Sequence, residues 1–264
     1  MADAGDVTYS GYLKIPELLG LQQTRSDPAE HDELLFIVIH QVYELWFKQV
    51  LFELDKIKRD FTEGRMFDAI ATLKRVRTIV TTLVGQLDIL ETMTPLSFAG
   101  FRDRLDTASG FQSVQFRELE FAIGQKRPEM LAHHPEGSEG RRTLDCRLGE
   151  RSLVDHFYDF LEHRGVEIPV DLRKKDPREP NRPDQTVQRG LLRLYREQPD
   201  TAILLELMTD LDEGLQEWRY RHVMIVQRTI GNKHGTGGSL GVEFLKKSLF
   251  RPVFPDLWAI RHEM

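Results

Sequence analysis

Apolar side chains recur every three or four residues along three long stretches of this chain, which is the spacing of one face of an α-helix. The stretches cover residues 27–62, about 66–91 and about 201–230. In the first, apolar residues stand at 35, 38, 39, 42, 45, 46, 50 and 54, and no glycine or proline lies between Pro28 and Gly64. The pattern predicts three long helices, and the first two should form an antiparallel hairpin because their connection is short.

Helix-boundary residues stand near the ends of these stretches. Asp27 is predicted to cap the first helix, with Pro28 in its first turn and Glu30 completing a capping box. Asp200 is predicted to cap the last long helix, and Gly231 to end it.

Shorter helices are predicted near 96–105 and over 113–124. The polar segments 133–142 and 171–185 contain proline or glycine and few apolar residues, so they are predicted to be exposed loops. They bracket a helix at about 150–163, which is expected to be peripheral.

The fold class that follows is all-α. Runs that alternate apolar and polar residues between turn signals, which would indicate strands, are missing. We expect one helical domain over 1–264, with a peripheral helical insertion at about 133–185. The longest apolar run, LLFIVI at 34–39, is far shorter than the roughly 18 residues of a membrane span, so no membrane partner is expected.

Composition narrows the class further. A net charge of -6 and a pI near 5.9 argue against a nucleic-acid partner, which normally requires a basic surface. Cys146 is the only cysteine, so an intrachain disulfide and a cysteine-rich zinc site are excluded. The N-terminus lacks the basic and apolar regions of a signal peptide, and an intracellular, cytoplasmic location is expected.

Glycine is concentrated near the C-terminus, in GNKHGTGGSLGVEF at 231–244. Lys233 precedes the glycines, which excludes a P-loop, and the spacing does not match the dinucleotide fingerprint. The preceding residues are helical, whereas both motifs follow a strand. We expect this loop to hold an anionic group of another kind of ligand, through backbone N–H groups.

Two histidines, His40 and His222, fall on the apolar faces of long helices. His40 shares a face with Phe36, and His222 lies between Trp218 and Val226 at i−4 and i+4. Each is interpretable as a satisfied core residue or as a functional group, since a buried neutral imidazole needs partners for both nitrogens. A ligand N–H or a haem iron is one such partner.

Arg102 also has two interpretations. It is either a surface arginine paired with Asp106 at i+4 or a bidentate clamp on a ligand carboxylate. Nearby aromatic residues either line a flat apolar pocket or fill the core; they are Tyr9, Tyr12, Phe36, Trp46, Phe98 and Phe101.

Three blocks of sequence carry a family resemblance. They are HDELLFIVIHQVYELWFKQVLFELD at 31–55, TPLSFAGFRDRLDTASGFQSVQFRELE at 94–120 and WRYRHVMIVQRTIGNKHGTGGSLGVEFLKKSLF at 218–250. Together with TYSGYLKIPELLGLQQ near the N-terminus, these blocks resemble the tryptophan 2,3-dioxygenase family over nearly the whole chain.

The resemblance implies an all-α haem enzyme that uses O₂ to convert L-tryptophan to N-formylkynurenine. It implies that His222 is the axial ligand of the iron of haem b, with Ser109 and Gly110 beside the haem. His40 then matches the distal histidine that accepts the indole N–H, and Phe36 packs on the indole ring.

The resemblance also implies a homotetramer, in which N-terminal residues 1–25 of one subunit complete the site of a neighbour. Tyr9, Tyr12 and Leu13 match that contribution. Arg102 matches the residue that pairs with the substrate carboxylate, and Thr236 the residue that holds the substrate's ammonium and carboxylate.

Further substrate contacts are expected from Phe98, Leu105 and Leu240. Leu240 departs from the family's usual GTGGSSG loop, and Phe98 lacks the hydroxyl that some relatives carry. One alternative is therefore a specialised relative that inserts a single oxygen into tryptophan or a methylated analogue, using peroxide or a reductant. Others are a haem- or tryptophan-binding sensor without turnover and a non-enzymatic helical interaction protein.

Overall fold

The computed structural model describes residues 7–235 and 241–264, and within these ranges it is helical with connecting loops and no strand. The all-α prediction is therefore confirmed. The first six helices are α1 (Tyr9–Leu13), α2 (Ile15–Leu19), α3 (His31–Thr62), α4 (Met66–Leu90), α5 (Pro95–Arg102) and α6 (Val114–Ile123). The others are α7 (Glu139–Gly149), α8 (Leu153–His163), α9 (Val170–Arg173), α10 (Gln185–Glu197), α11 (Pro199–Ile230), α12 (Val242–Lys246) and α13 (Pro255–Ala259).

The predicted hairpin of α3 and α4 is present, and α11 packs along α4. Leu54, Leu73 and Leu204 of these three helices are at most 1 % exposed. The hydroxyl of Tyr43 donates to the carbonyl of Leu83 at 2.6 Å, which ties α3 to α4 beside the cavity described below. Three long helices thus form the frame of the molecule.

Two predicted helix starts are wrong. α3 begins at His31, four residues after Asp27, and the preceding chain is held by Glu33, whose carboxylate accepts the backbone N–H groups of Arg25 and Ser26. α11 begins at Pro199, so that Asp200 lies in its first turn and is not the cap.

The segment predicted as exposed loops and a peripheral helix is more ordered and more buried than expected. α8 lies where a helix was predicted, but Leu153, Phe160 and Leu161 are fully buried in the main core. α7 occupies part of a predicted loop. Its last turn is capped by Lys126, whose ammonium donates to the carbonyls of Arg147, Leu148 and Glu150.

A buried carboxylate of α11 binds the chain that follows α12. Asp212 is fully buried, and its Oδ2 accepts the N–H groups of Val253 and Phe254 and the indole N–H of Trp258 at 2.8–3.0 Å. This contact fixes the C-terminal helices against the middle of α11.

Among the described residues, α3 is the one helix whose length and apolar content would suit a membrane span. The same length and composition are typical of a core helix, and Leu54, Ile57 and Phe61 of α3 are at most 1 % exposed within the protein.

Candidate active site

A cavity of about 300 Å³ lies between α3, α5, α6 and α11. This volume is at the lower end of the range found for small-molecule sites, roughly 300–1,000 Å³. Its walls are mainly apolar, and the glycine-rich loop borders it through Gly235 and Gly241. The loop and both histidines singled out from the sequence therefore meet at one cavity.

His40 is fixed by its own helix. Its Nδ1 lies 2.7 Å from the carbonyl oxygen of Phe36, and because a carbonyl only accepts, Nδ1 carries the hydrogen. Burial lowers the pKa of His40, against the opposing effects of the Phe36 carbonyl and Glu44. A neutral His40 in this tautomer presents Nε2 as an acceptor, and Nε2 has no hydrogen-bond partner among the described residues.

His222 lines the cavity from α11. Its ring stacks on that of Trp218, with centroids 5.3 Å apart and planes 3° from parallel, so the imidazole has a defined orientation. Burial, with smaller contributions from His40 and Arg117, lowers the pKa of His222 to about 4. The ring is therefore neutral at pH 7, and neither nitrogen is hydrogen-bonded within the described part of the chain.

Arg102 ends α5 and lines the same cavity. Its Nη2 donates to the carbonyl of His234 at 2.7 Å, which connects α5 to the start of the glycine-rich loop. No carboxylate in residues 7–235 or 241–264 forms an ion pair with Arg102, and this includes Asp106. The surface-pair interpretation of Arg102 is therefore wrong, and no described carboxylate uses its other donors.

Aromatic rings form the wall next to His40. The ring of Phe36 lies 4.0 Å from that of His40 and 5.8 Å from that of Phe98, measured between centroids. Phe98 also makes an edge-to-face contact with Phe101, which is fully buried. Phe36 and Phe98 line the cavity, whereas Phe101 and Trp46 do not, and the partly buried Trp46 packs against the main core.

The other residues proposed from the sequence as site residues do not all line the cavity. Ser109 and Gly110 line the cavity, whereas Leu105 is partly buried and does not line it. Thr236 and Leu240 lie outside the described residues, between the cavity-lining Gly235 and Gly241.

The three N-terminal residues lie on a different surface. Tyr9, Tyr12 and Leu13 are on α1, and they are 78 %, 75 % and 42 % exposed. Together with α2, which packs on it, α1 has no buried residue. None of the three lines the cavity of its own chain.

Sequence reasoning missed a group of charges at the cavity, of which all but Arg127 are buried: Arg117, Glu120, Arg127 and Arg219. Arg117 and Glu120 are three residues apart on α6, a spacing that usually indicates an exposed ion pair. Here both side chains are at most 5 % exposed. The sequence pattern alone did not distinguish a buried pair from a surface pair.

The fold and cavity define an all-α protein with a small-molecule site built from two neutral histidines, an aromatic wall and an arginine. Comparison with known families gives a more specific answer. The model of the tryptophan 2,3-dioxygenase family matches residues 1–165 and 184–264. The chain belongs to the tryptophan 2,3-dioxygenase family, and it is an enzyme of the dioxygenase class.

Individual relatives agree over almost their whole length. The chain is 50 % identical over 260 residues to the tryptophan 2,3-dioxygenase of Anaeromyxobacter dehalogenans, covering 98 % of this chain and 97 % of that protein. It is 50 % identical over 258 residues to that of Herpetosiphon aurantiacus, covering 98 % of each. It is 40 % identical over 264 residues to that of Caulobacter vibrioides, covering 99 % of this chain and all of that protein. These relatives do not favour the single-oxygen alternative.

Proposed function

We propose that this chain uses O₂ to open the C2=C3 bond of the indole ring of L-tryptophan, giving N-formylkynurenine. The observation that carries the proposal is the hydrogen bond from His40 Nδ1 to the Phe36 carbonyl. It leaves Nε2 as an acceptor at an apolar cavity, and the N–H is the one hydrogen-bond donor of an indole ring.

Haem b is the proposed cofactor, and the residues around His222 fit it. Haem iron takes a single imidazole from the protein in many haem enzymes. His222 offers a neutral ring, held parallel to Trp218, with no hydrogen-bond partner among the described residues. Ser109 and Gly110 are proposed to contact the porphyrin. When bound, haem b would supply a ferrous iron that activates O₂.

The rest of the cavity suits the two ends of tryptophan. Phe36 and Phe98 provide aromatic walls for the planar indole. Arg102 is proposed to pair with the carboxylate, because a guanidinium matches its two oxygens. Thr236 is proposed to bind the amino-acid end from the adjoining loop, and Leu240 to contact the substrate.

A homotetramer is proposed as the active form, acting in the cytoplasm. The support is the exposed face of α1, because Tyr9, Tyr12 and Leu13 are large apolar side chains that this chain leaves uncovered. In the tetramer, residues 1–25 of one subunit would place these three side chains over the cavity of a neighbour. Light scattering should give the mass of four chains. Deletion of residues 1–20 should leave haem bound but weaken tryptophan binding, and unchanged tryptophan affinity would contradict this part of the proposal.

Isotope labelling tests the reaction itself. The haem-loaded, reduced protein is mixed with L-tryptophan and ¹⁸O₂, and the product is analysed by mass spectrometry. The proposal predicts ring opening with two labelled oxygen atoms in the product. A product with one added oxygen would support monooxygenation instead, and ligand-induced spectral shifts without O₂ consumption would indicate a sensor.

A further inference from the structure

The charged side chains that line the cavity do not balance. In the described part of the chain they are four arginines and two glutamates: Arg102, Arg117, Arg127, Arg219, Glu44 and Glu120. Residues 236–240 have the sequence TGGSL and add no charge. Because both histidines of the cavity have lowered pKa values and are neutral at pH 7, the lining has two positive charges in excess.

Three of these arginines converge on one carboxylate. Arg127 Nη2 lies 2.8 and 2.7 Å from the two carboxylate oxygens of Glu120, and Arg219 Nη2 lies 3.9 Å from one of them. Arg117 Nη1 also donates to Glu120. The side chains of Arg117, Glu120 and Arg219 are only 5 %, 2 % and 6 % exposed, so water screens this excess charge little.

Arg117 has a donor that no group in residues 7–235 or 241–264 satisfies. Its Nε is buried and has no acceptor in the described structure. The guanidinium is held over the rings of Phe111 and Phe116, 5.4 and 5.1 Å from their centroids. A buried charged donor without an acceptor is costly, which indicates that a bound group completes this site.

Two other carboxylates near the cluster make hydrogen bonds elsewhere. Asp212 attracts Arg219, but its Oδ2 accepts three N–H groups from the C-terminal segment. Glu44 lines the cavity and accepts the side-chain amide of Gln115 at 2.8 Å. Neither one forms an ion pair with Arg117.

We propose that Arg117, supported by Arg127 and Arg219, binds the propionate carboxylates of the porphyrin. This inference rests on the proposed haem cofactor. Haem b carries two carboxylates, which match the two excess charges, and the guanidinium fork suits a carboxylate. The substrate is an amino-acid zwitterion without net charge. Arg102 can therefore bind the substrate carboxylate without changing the net charge of the cavity.

The test compares haem b with its dimethyl ester, which has the same macrocycle and iron but no ionised carboxylate. Both are titrated into the apo-protein, and binding is followed by the Soret band and by quenching of tryptophan fluorescence. Wild-type protein should prefer haem b over the ester. Arg117→Gln should reduce that preference by about 10-fold or more, the effect of losing one charge-assisted hydrogen bond, by weakening haem b and not the ester.

Arg147→Gln is the matched control. Arg147 pairs with Asp55, Glu118 and Glu150 and does not line the cavity, so its loss should leave the preference for haem b unchanged. If Arg117→Gln does not fold, Arg127→Gln tests the same preference.

Three results would overturn the proposal. If the wild type bound haem b and the ester with equal affinity, the propionate proposal would fail but the proposed function would not. Equal weakening of both by Arg117→Gln would mean that the cluster only stabilises the fold. Failure of the wild type to bind either compound would overturn the proposed function as well.

Discussion

Replacement of Arg102 by lysine tests how the cavity holds the charged end of its substrate. Arg102 already donates one Nη2 hydrogen to the His234 carbonyl, and no described carboxylate uses the rest of the guanidinium. A lysine keeps the charge but cannot donate two parallel hydrogen bonds to a carboxylate while it also holds the loop.

The expected magnitude follows from the loss of one charge-assisted hydrogen bond. Such a bond contributes about 1.5–3 kcal/mol, which corresponds to a rise of about 10- to 100-fold in Kd for L-tryptophan. Tryptamine has the indole and the amine but no carboxylate. Its affinity for the wild type should already be low, and Arg102→Lys should change it little.

The assay is a titration of the haem-loaded protein with each compound, followed by the Soret shift, with kcat/KM for L-tryptophan measured in parallel. Arg104→Lys is the control, because Arg104 is exposed, binds the carbonyl of Asp27 at 3.2 Å and does not line the cavity. Unchanged tryptophan affinity in Arg102→Lys would refute the clamp. Equal losses for tryptophan and tryptamine would show that Arg102 only orders the loop.

Four further predictions concern the cavity and its frame. His40→Ala should keep haem but lower kcat. It should also bind 1-methyl-L-tryptophan and L-tryptophan with more similar Kd values than the wild type does, since the methylated ring has no N–H for Nε2 to accept. An unchanged ratio of the two Kd values would count against Nε2 as the acceptor of the indole N–H. Because burial lowers the pKa of His40, kcat/KM should stay level as the pH falls through 6.5 and decline only below it, and a decline centred above 6.5 would contradict this. The folded-state pKa of His222 is lowered to about 4, so its contribution to the stability of the apo-protein is present above its unfolded pKa of about 6.5 and is lost as the pH falls towards 4. Urea unfolding should accordingly depend less on pH in this range in His222→Ala, and an equal dependence would disprove the burial argument. Asp212→Ala removes the acceptor of three hydrogen bonds and should lower the free energy of unfolding by at least about 3 kcal/mol. Asp210→Ala is the control: it loses one surface ion pair and should lower the free energy of unfolding by less than about 1 kcal/mol. Equal losses would show that Asp212 does not anchor the C-terminal segment to α11.

The long helices were predictable because their information is local. A repeat of 3.6 residues specifies a buried face wherever the helix packs, so α3, α4 and α11 could be found from the sequence. The same periodicity placed His40 beside Phe36 and His222 beside Trp218, and both contacts are present.

Helix ends and short helices were harder to predict. Asp27, Pro28 and Glu30 match a capping pattern, but the carboxylate of Glu33 binds the N–H groups of Arg25 and Ser26, and the helix begins only at His31. α10 was missed beside a proline-rich segment, although Asp184 caps it and Val187, Leu191 and Leu194 are buried.

The cavity could not be predicted from local pattern, because it depends on how α3, α5, α6 and α11 are spaced around one another. The sequence pattern singled out Arg102 and the two histidines with two interpretations each, and the resemblance to a family favoured the functional one. The resemblance did not indicate the cluster around Glu120, in which residues from α6, from α11 and from the loop that follows α6 meet. Only the packed structure shows that these charges meet and that Arg117, Glu120 and Arg219 are buried.

His222 is proposed to bind the iron of haem b in this cavity. The most direct measurement is the absorption spectrum of haem-loaded wild type and His222→Ala, each with and without added imidazole. We expect a histidine-ligated spectrum in the wild type, its loss in the variant and its recovery when imidazole fills the vacated position. A variant that binds haem at full affinity with an unchanged spectrum would show that His222 does not bind the iron.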